Sequence, residues 1–184
     1  RLKTLVLELL DAARTEQGQL VSNPTPMDLV SAGEDVCVRH TSPRHPCSVV
    51  ANAPVVGVYD PVRIGQLIEN LVENAVKYTP DGGAVQVRVW QEGDWNRMSV
   101  EDHGIGIPAA DVAHVFDRFH RGGNVDDRRF AGMGLGLYIC RGIAEQHGGR
   151  IWVTSVAGQG SCFHVALPAA SQRIDAKEHA YAAR

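Results

Sequence analysis

NLVENAVKYT, residues 70–79, is the stretch that combines two helical faces of opposite character. Apolar side chains recur through it and before it at three- and four-residue spacing, which predicts one buried helix face. They are Ile64, Leu67, Ile68, Leu71, Val72, Ala75 and Val76. Pro61 suits the start of this helix, and the turn TPDGG at 79–83 ends it. The opposite face carries polar side chains at the spacing i, i+4, i+7 and i+8, which stack in one row. They are Asn70, Asn74, Lys77 and Tyr78.

This polar row offers two amides, one ammonium and one phenol to a single ligand. An Asn in a helix interior costs up to about 0.7 kcal/mol relative to Ala. Two of them in register, Asn70 and Asn74, are a poor choice for a face that meets only solvent. A binding role and a solvated face both remain open from this helix alone.

A carboxylate ends the strand predicted over residues 97–102. Asp102 follows Met98 and Val100 at period two, so it projects to the same, inward side of the strand. A buried carboxylate needs hydrogen-bond donors. These are either the backbone of the next turn or a ligand such as the amino group of adenine. Gly104 and Gly106 would let the backbone approach a flat ring closely.

A glycine-rich turn, GMGLGL at 132–137, opens a helix predicted from about residue 134 to 147. Glycines at a helix start expose backbone N–H groups and the positive end of the helix dipole to phosphate. Leu137 stands where a dinucleotide fingerprint needs its third glycine, and no Lys-Ser/Thr pair makes the turn a P-loop. A helix start without a ligand remains the alternative.

The remaining pattern predicts a helix over 1–17, ended by Gly18, and a short helix from about Met27. Strands are predicted at 36–40, 48–51, 84–91, 97–102, 151–155 and 161–167. We expect a two-layer α/β (α+β) sandwich, a mixed β-sheet with helices on one face, preceded by a single helix. The domain is expected to span 21–168. Residues 1–20 would be a separate helix that packs either on the following domain or, as we favour, on a helix outside this chain, and 169–184 a frayed tail.

Composition bounds the class of protein. With 184 residues, of which 44% are hydrophobic, the chain can close one sizeable core. A formal net charge of −3 argues against a nucleic-acid partner. The four cysteines are far apart and lack metal-ligand spacing, which favours free thiols in a reducing compartment over disulfides or zinc. They are Cys37, Cys47, Cys140 and Cys162.

No apolar run approaches the roughly 20 residues that span a bilayer, and no signal peptide opens the chain. The first residue is Arg1, which indicates a piece cut from a longer protein. We therefore expect a cytoplasmic domain, whether or not the parent protein is a membrane-anchored sensor.

Together, these motifs resemble the catalytic domain of sensor histidine kinases, part of the ATPase class that includes gyrase, the Hsp90 chaperone and MutL. The resemblance runs from about residue 27 to 168. Residues 70–79 are similar to the N box, 102–107 to the first glycine box, 116–119 to the phenylalanine box and 132–137 to the second glycine box. Residues 158–161 resemble the last glycine turn, with Ser161 where threonine is usual. The resemblance implies the Bergerat ATP-binding fold, with ATP and Mg²⁺ as ligands.

The resemblance also implies roles for single residues. Asn74 would hold the Mg²⁺ that bridges the phosphates, and Asn70 and Lys77 would assist with phosphate and metal. Tyr78 would lie along the nucleotide. Asp102 would accept the adenine amino proton.

Two arginines near the phenylalanine box complete the implied site. Arg121 would contact the γ-phosphate, with Arg118 as a helper, both at the root of a lid over about 122–131. For Arg118 and Phe116, packing and a surface ion pair are an equal alternative. The expected catalytic residues are Asn70, Asn74, Lys77 and Arg121. The expected nucleotide-binding residues are Asn70, Asn74, Lys77, Tyr78, Asp102, Gly104, Gly106, Ile107, Arg118, Arg121, Gly132, Met133, Gly134, Leu135, Gly136, Leu137 and Ser161.

Phosphoryl transfer asks a protein mainly to position the donor and neutralise charge, and a neutral imidazole is already a competent nucleophile. In the gyrase and chaperone branch, a glutamate one turn before the metal-binding asparagine activates water. Here that position is Asn70, and Glu73 is rotated by roughly 100° from Asn74. The resemblance therefore favours a protein-histidine kinase over a hydrolysing ATPase. A non-catalytic nucleotide-sensing module is the third candidate.

The phosphorylated histidine of such kinases is followed by Glu or Asp, and none of the eight histidines here has that neighbour. The acceptor is expected outside this chain, so the fragment alone should not autophosphorylate. Residues 1–17 resemble the second helix of the dimerisation hairpin, whose apolar stripe belongs to a four-helix dimer interface. Here the stripe consists of Leu2, Leu5, Val6, Leu9, Leu10 and Ala13. The implied partners are that phosphoacceptor helix, a second copy of the parent, and a response regulator whose aspartate receives the phosphoryl group.

Overall fold

The computed structural model describes residues 2–123 and 132–169, which form one helix followed by an α/β domain. The helices are α1 (Leu2–Glu16), α2 (Leu29–His40), α3 (Pro61–Lys77), α4 (Ala109–Val112) and α5 (Gly136–Gln146). The strands are β1 (Thr25–Asp28), β2 (Cys47–Val50), β3 (Val56–Tyr59), β4 (Val85–Glu92), β5 (Trp95–Asp102), β6 (Arg150–Val156) and β7 (Gly160–Pro168).

A five-stranded mixed sheet has the order β2-β4-β5-β7-β6. Only the β2–β4 pair is parallel, and the other neighbours in this sheet are antiparallel. Strands β1 and β3 form a separate antiparallel pair. The mixed sheet, the helices packed against it and the preceding helix confirm the predicted fold class.

One face of the large sheet forms the core. Val87, Val100, Phe163 and Val153 are partners in adjacent strands and are all buried, so they share this face. The apolar stripe of α3 packs in the same cluster, together with buried residues of α5 such as Ile139. The polar face of α3 is left for the site.

Asp60 fixes the start of α3. Its Oδ1 accepts hydrogen bonds from the first turn of the helix, and its Oδ2 accepts from the backbone of Ser22 and Asn23. Its own N–H donates to Nε2 of His147, at the end of α5, at 2.9 Å. One buried carboxylate residue therefore ties α3, α5 and the segment after α1 together.

The strand predicted at 36–40 is wrong, because these residues form the last turns of α2. Leu29, Gly33, Val36 and Cys37 are buried on one face of that helix, at helical spacing. Asp28 caps the helix by accepting from Val30 and Ser31. The sequence analysis also missed β1, β3 and α4, which are each only four residues long.

Helix α1 packs on the domain through its less apolar side. Ala12 is fully buried, and Thr15 lies against Gly142 of α5, where an added Cβ would come within 2.3 Å of the Thr15 side chain. Val6, Leu9 and Leu10, members of the predicted apolar stripe, are 48%, 43% and 52% exposed. The described part of the chain therefore leaves that stripe uncovered.

All four cysteines lie in the described segments and are free, which confirms the expectation of unpaired thiols. Burial raises the pKa of the Cys140 thiol to about 12, so this group stays protonated at neutral pH. None of the described helices has both the length and the apolar character that crossing a membrane would require.

Candidate functional site

A cavity of about 280 Å³ opens beside the polar face of α3. Its walls are the C-terminal half of α3, the loop after β5, the start of α5 and the inner ends of β5 and β7. The predicted motifs, which are far apart in sequence, thus border one space. One face of α1 also reaches this cavity, through Glu8.

The polar row of α3 lines the cavity as predicted, with Asn70, Asn74, Lys77 and Tyr78 all in its wall. Lys77 Nζ lies 4.7 Å from the centre of the Tyr78 ring, which is a cation–π distance. Asn70 Nδ2 donates to the carbonyl oxygen of Gly136, at the start of α5, at 3.5 Å. The row therefore joins the two helices that flank the opening.

Asp102 forms the buried end of the cavity and is only 5% exposed. Its Oδ1 accepts from the N–H of Gly104 at 2.8 Å and from the N–H of Ser161 at 3.3 Å. Among the described residues, none donates a hydrogen bond to Oδ2. The carboxylate therefore caps the following turn and still has one acceptor oxygen for a ligand, so the two roles are compatible.

Burial raises the pKa of the Asp102 carboxyl, and the hydrogen bonds from Gly104 and Ser161 offset only part of that effect. Ser161 is itself held, because its hydroxyl lies 2.9 Å from the hydroxyl of Ser155. Ser155 Oγ also accepts from the N–H of Ile107 at 2.9 Å. This end of the cavity is thus a connected set of hydrogen bonds between β6, β7 and the loop after β5.

The two glycines after Asp102, Gly104 and Gly106, allow the backbone of this turn to pack closely against other backbone segments. A Cβ on Gly106, which has φ 62°, would lie 2.1 Å from the carbonyl oxygen of Val156. A Cβ on Gly104 would lie 2.1 Å from the carbonyl oxygen of Tyr78. Gly106 and Ile107 line the cavity, whereas Gly104 does not. The structure thus puts the close approach at Gly104 against the end of α3, not against the cavity.

The glycine-rich turn also borders the cavity as predicted, with Gly132, Met133, Gly134, Leu135, Gly136 and Leu137 all in its wall. Helix α5 begins at Gly136, and its N-cap residue Leu135 makes no side-chain cap. Backbone N–H groups at a helix start that lack a capping side chain can bind an anion. A Cβ on Gly132 would lie 3.2 Å from Lys77 Nζ, so this turn runs close to the ammonium.

The two predicted arginines lie in different places. Arg121 lines the cavity. Arg118 does not; its guanidinium pairs with Glu16 of α1 and lies 4.8 Å from the centre of the Phe119 ring. Phe116 is buried and meets Phe163 edge to face at 6.3 Å. For Arg118 and Phe116, the structure therefore shows the alternative, an ion pair and packing. Most of the expected lid, residues 124–131, lies outside the described residues.

Several residues of the cavity wall were not predicted. They are Glu8, Glu73, Ile105, Val115, His120, Gly122 and Phe163. Ile105 and Gly122 lie beside predicted positions, so their neighbours were a usable signal. Val115 and Phe163 are buried in the core and carry no local signal of a site. Glu73 was expected to be turned away from the site, yet it reaches the wall.

The carboxylate of Glu69 links α2 to α3 just outside the cavity. It forms an ion pair with Arg39 and a hydrogen bond with His40 Nε2. His40, Glu69 and Glu73 have potential metal-binding atoms within 4.8 Å of one another. Because the Glu69 carboxylate already has two cationic or hydrogen-bonding partners, these contacts account for it as an interhelical ion pair.

The sequence matches the family described as histidine kinase-, DNA gyrase B- and HSP90-like ATPase over residues 59–171, which is more than half of the chain. The chain belongs to this family of ATPases. Within it, the similar proteins are sensor histidine kinases, so the match is to their ATP-binding catalytic domain and confirms the resemblance drawn from the motifs.

The sensor protein kinase WalK of Staphylococcus aureus is 33% identical over 173 residues, covering 91% of this chain and 42% of that protein. The mycobacterial sensor histidine kinase MprB matches with a TM-score of 0.69 and 28% identity, covering 79% of this chain and 99% of that one. Full-length ShkA in complex with AMPPNP matches with a TM-score of 0.78 and 29% identity, covering 92% and 36%. The chain spans less than half the length of the first curated relatives it matches.

Proposed function

We propose that this chain binds Mg·ATP in the cavity and donates its γ-phosphoryl group to a histidine on a dimerisation helix outside the chain. The observation that carries this function is convergence. The polar row of α3, the buried carboxylate of Asp102 and the glycine-rich start of α5 border one cavity. Each feature suits a different part of a magnesium nucleotide.

The adenine is assigned to the end of the cavity at Asp102. Oδ2 would accept the amino group of the ring, while Gly104 and Ser161 hold Oδ1. An acceptor at this position favours adenine over guanine, which presents a carbonyl oxygen there. Ile107 and Phe163 add apolar wall beside the carboxylate, and Tyr78 would lie along the nucleotide.

The phosphates are assigned to the end of the cavity at Lys77. The ammonium, the N–H groups of turn 132–137 and the guanidinium of Arg121 would neutralise their charge. The Asn74 amide oxygen, a hard ligand, would hold Mg²⁺ with phosphate oxygens and water, which fits the preference of this ion. Asn70 would help to position phosphate and metal. Arg118 instead pairs with Glu16 of α1. Gly104 allows the turn after β5 to pack closely on the end of α3.

The transfer itself places few demands on this domain. A neutral imidazole attacks the γ-phosphorus and the ADP oxygen leaves, so no strong base is needed here. None of the eight histidines has the expected acidic neighbour, so the acceptor would come from the dimerisation helix. We assign residues 21–168 to the ATP-binding domain and 1–20 to the second helix of the dimerisation hairpin. The predicted tail, 169–184, lies outside the described residues apart from Ala169.

Three partners follow from this assignment: the phosphoacceptor helix, a second copy of the parent protein and a response regulator. The exposed stripe of α1, formed by Val6, Leu9 and Leu10, would join the helices of a dimeric parent protein. The phosphorylated histidine would pass its group to an aspartate of a response regulator. The compartment that contains such a relay and ATP is the cytoplasm.

The hydrolysing ATPase is the second candidate, because Glu73 lies in the cavity wall. If Glu73 activated water, Glu73→Gln would abolish steady ATP hydrolysis. The kinase function expects slow hydrolysis that this substitution leaves unchanged. Mg·ATP binding without transfer to any supplied histidine would instead support a nucleotide-sensing module.

A transfer assay decides between these functions. The chain is mixed with γ-labelled ATP, Mg²⁺ and a dimerisation domain that carries the phosphoacceptor histidine of a sensor kinase. We expect acid-labile, base-stable label on that domain, and none when its histidine is replaced by alanine. Binding of AMPPNP without any such label would count against the kinase function.

A further inference from the structure

Helix α1 brings a carboxylate into the cavity from outside the ATP-binding domain. Glu8 lines the cavity together with Lys77 and Glu73, and it interacts electrostatically with both. No motif of the chain includes Glu8. A carboxylate beside the expected position of the phosphates would repel them. We infer that α1, docked as in this structure, opposes binding of the nucleotide phosphates by holding the Glu8 carboxylate at the phosphate end. This inference rests on the proposed function.

A specific set of contacts holds α1 in this position. Arg63 Nη1 donates to Asp11 Oδ1 at 3.0 Å, and Gln66 Nε2 donates to Asp11 Oδ2 at 2.8 Å. Both donors belong to α3, the helix that carries the polar row. Asp11 follows Glu8 by three residues, so the two carboxylates project from the same side of α1. We call these two hydrogen bonds to Asp11 a latch. Because they fix Asp11, they also keep Glu8 directed towards the cavity.

A second latch lies near the end of α1, where Glu16 pairs with Arg118. Arg118 follows Phe116 and lies three residues before Arg121, which lines the cavity. The two latches thus connect α1 to α3 on one side and to the segment that ends at Arg121 on the other. Movement of α1 would therefore change the positions of residues in both walls at the phosphate end of the cavity.

The charges around Glu8 explain why its position matters. Burial and the nearby carboxylate of Glu73 raise the pKa of Glu8, while Lys77 lowers it. A triphosphate would meet the same ammonium and would add several negative charges beside two carboxylates. Adenosine carries no such charge. The opposition should therefore grow with the number of phosphates and be absent for the nucleoside.

The opposite face of α1 shows how the block could be relieved. Val6, Leu9 and Leu10 are half exposed, and Val6 and Leu10 lie about 160° around the helix from Glu8. A helix that packs on this stripe would shift or rotate α1 relative to α3. The same helix thus has a carboxylate facing the cavity and an apolar surface for a partner, so its position couples partner packing to nucleotide access.

The test compares nucleotides on the full chain by isothermal titration calorimetry. We expect Glu8→Gln to tighten binding of Mg·AMPPNP by about tenfold, ADP by less, and adenosine by less than twofold. The matched control is Glu34→Gln, which removes one carboxylate from the exposed surface of α2 and should leave all three affinities unchanged. Thermal melting by circular dichroism checks that each variant is folded.

A second variant tests the latch without touching the cavity wall. Asp11→Asn weakens the contact with Arg63, so it should also tighten Mg·AMPPNP and leave adenosine unchanged. Because linkage is reciprocal, Mg·AMPPNP should in turn speed hydrogen exchange of the α1 amides in the unmodified chain.

The outcomes separate the two levels of the proposal. If the unmodified chain binds Mg·AMPPNP but Glu8→Gln binds it no more tightly, the inference about α1 is overturned and the proposed function stands. Weaker binding of Mg·AMPPNP by Glu8→Gln would mean that Glu8 helps to hold the metal, which also overturns it. If neither protein binds any adenine nucleotide at millimolar concentration, both fail.

Discussion

The two ends of the cavity differ in how their important side chains are held. At one end, Asp102 is fixed by backbone N–H groups of Gly104 and Ser161, within the sheet and its adjoining turn. At the other end, Lys77 Nζ lies close to Gly132 and interacts with Glu8, which belongs to a separately packed helix. The first end depends on sheet register, which cannot slip by one residue without turning every side chain over. The second depends on how separate helices pack together, so recognition and control can be located at different ends.

The largest expected effect belongs to Asn74→Ala at the Lys77 end of the cavity. Loss of the amide that holds Mg²⁺ should lower the rate of phosphoryl transfer by about 10³-fold, as when one transition-state ligand is removed. The fold should persist, because Asn74 lies in the cavity wall and not in the core. The rate is measured with a supplied phosphoacceptor domain, and exposed Asn52→Ala is the control. Transfer at the original rate would contradict the role of Asn74.

Gly106→Ala tests how tightly the Asp102 end is built. Its Cβ would meet the carbonyl oxygen of Val156 at 2.1 Å, and the residue has a left-handed φ of 62°. We expect a loss of about 3 kcal/mol in the free energy of unfolding. Gly158→Ala is the matched control, because it also has positive φ but open space at its Cβ. For Gly158→Ala we expect a loss of about 1 kcal/mol in the free energy of unfolding. Urea unfolding measures both losses. Equal losses would mean that conformation alone matters.

Asp102→Asn tests recognition at the same end. Replacing the carboxylate should weaken ATP binding by about 20-fold, because a hydrogen bond to a charged acceptor contributes about 1.5–3 kcal/mol. The loss should be the same for adenosine, since it arises at the base. Titration of Asp94→Asn, a change in the exposed β4–β5 turn, is the control. Unchanged affinity of Asp102→Asn for both ligands would contradict the assignment of adenine to this end of the cavity.

The smallest effect concerns Asp60, which holds the base of α3 and so supports both ends. Burial pushes the pKa of Asp60 up, but hydrogen bonds from Ser22, Asn23 and Arg63 outweigh this and leave it below its ordinary value of about 3.9. The charged form is therefore the stabilising one. Its contribution is present above the ordinary pKa and is lost as the pH falls through the lower folded-state value.

We expect Asp60→Asn to lower the free energy of unfolding by about 1 kcal/mol at pH 7, since Asn is still an N-cap residue. The difference between the two proteins should shrink as the pH falls from the ordinary pKa towards the folded-state pKa, and it should be smallest below that value, where the unmodified side chain is also neutral. Urea unfolding from pH 7 to pH 2.5 measures it. A difference that stays constant with pH would show that the charge is not involved.

Features that depend on local spacing were predicted correctly, and features that depend on packing between distant segments were not. The stripe of α3 and its polar row were predicted correctly because helical periodicity is local. The strand predicted at 36–40 was wrong because Val36 and Val38 favour a strand locally, while the cap at Asp28 and packing against α3 favour a helix. Strands β1 and β3 were missed because they are short and pair mainly with each other.

Single site residues show the same division. Asp102 was placed inward by the alternation of its own strand, and it is buried. Arg118 was grouped with Arg121 because they are close in sequence, yet only Arg121 reaches the cavity. In a turn-rich segment, two side chains that are three residues apart can point in different directions. Here the ion pair with α1 determines the direction of Arg118.

By itself, the sequence determined the amphipathic helix α3, the inward carboxylate at the end of β5 and the glycine-rich start of α5. Each is written in the spacing of neighbouring residues. Only the tertiary structure decided that Gly104 packs on Tyr78, that Arg118 turns to α1, and that Glu8 enters the cavity. These contacts join segments between 26 and 102 positions apart, and their geometry depends on the packing of whole helices and strands, which no local period encodes.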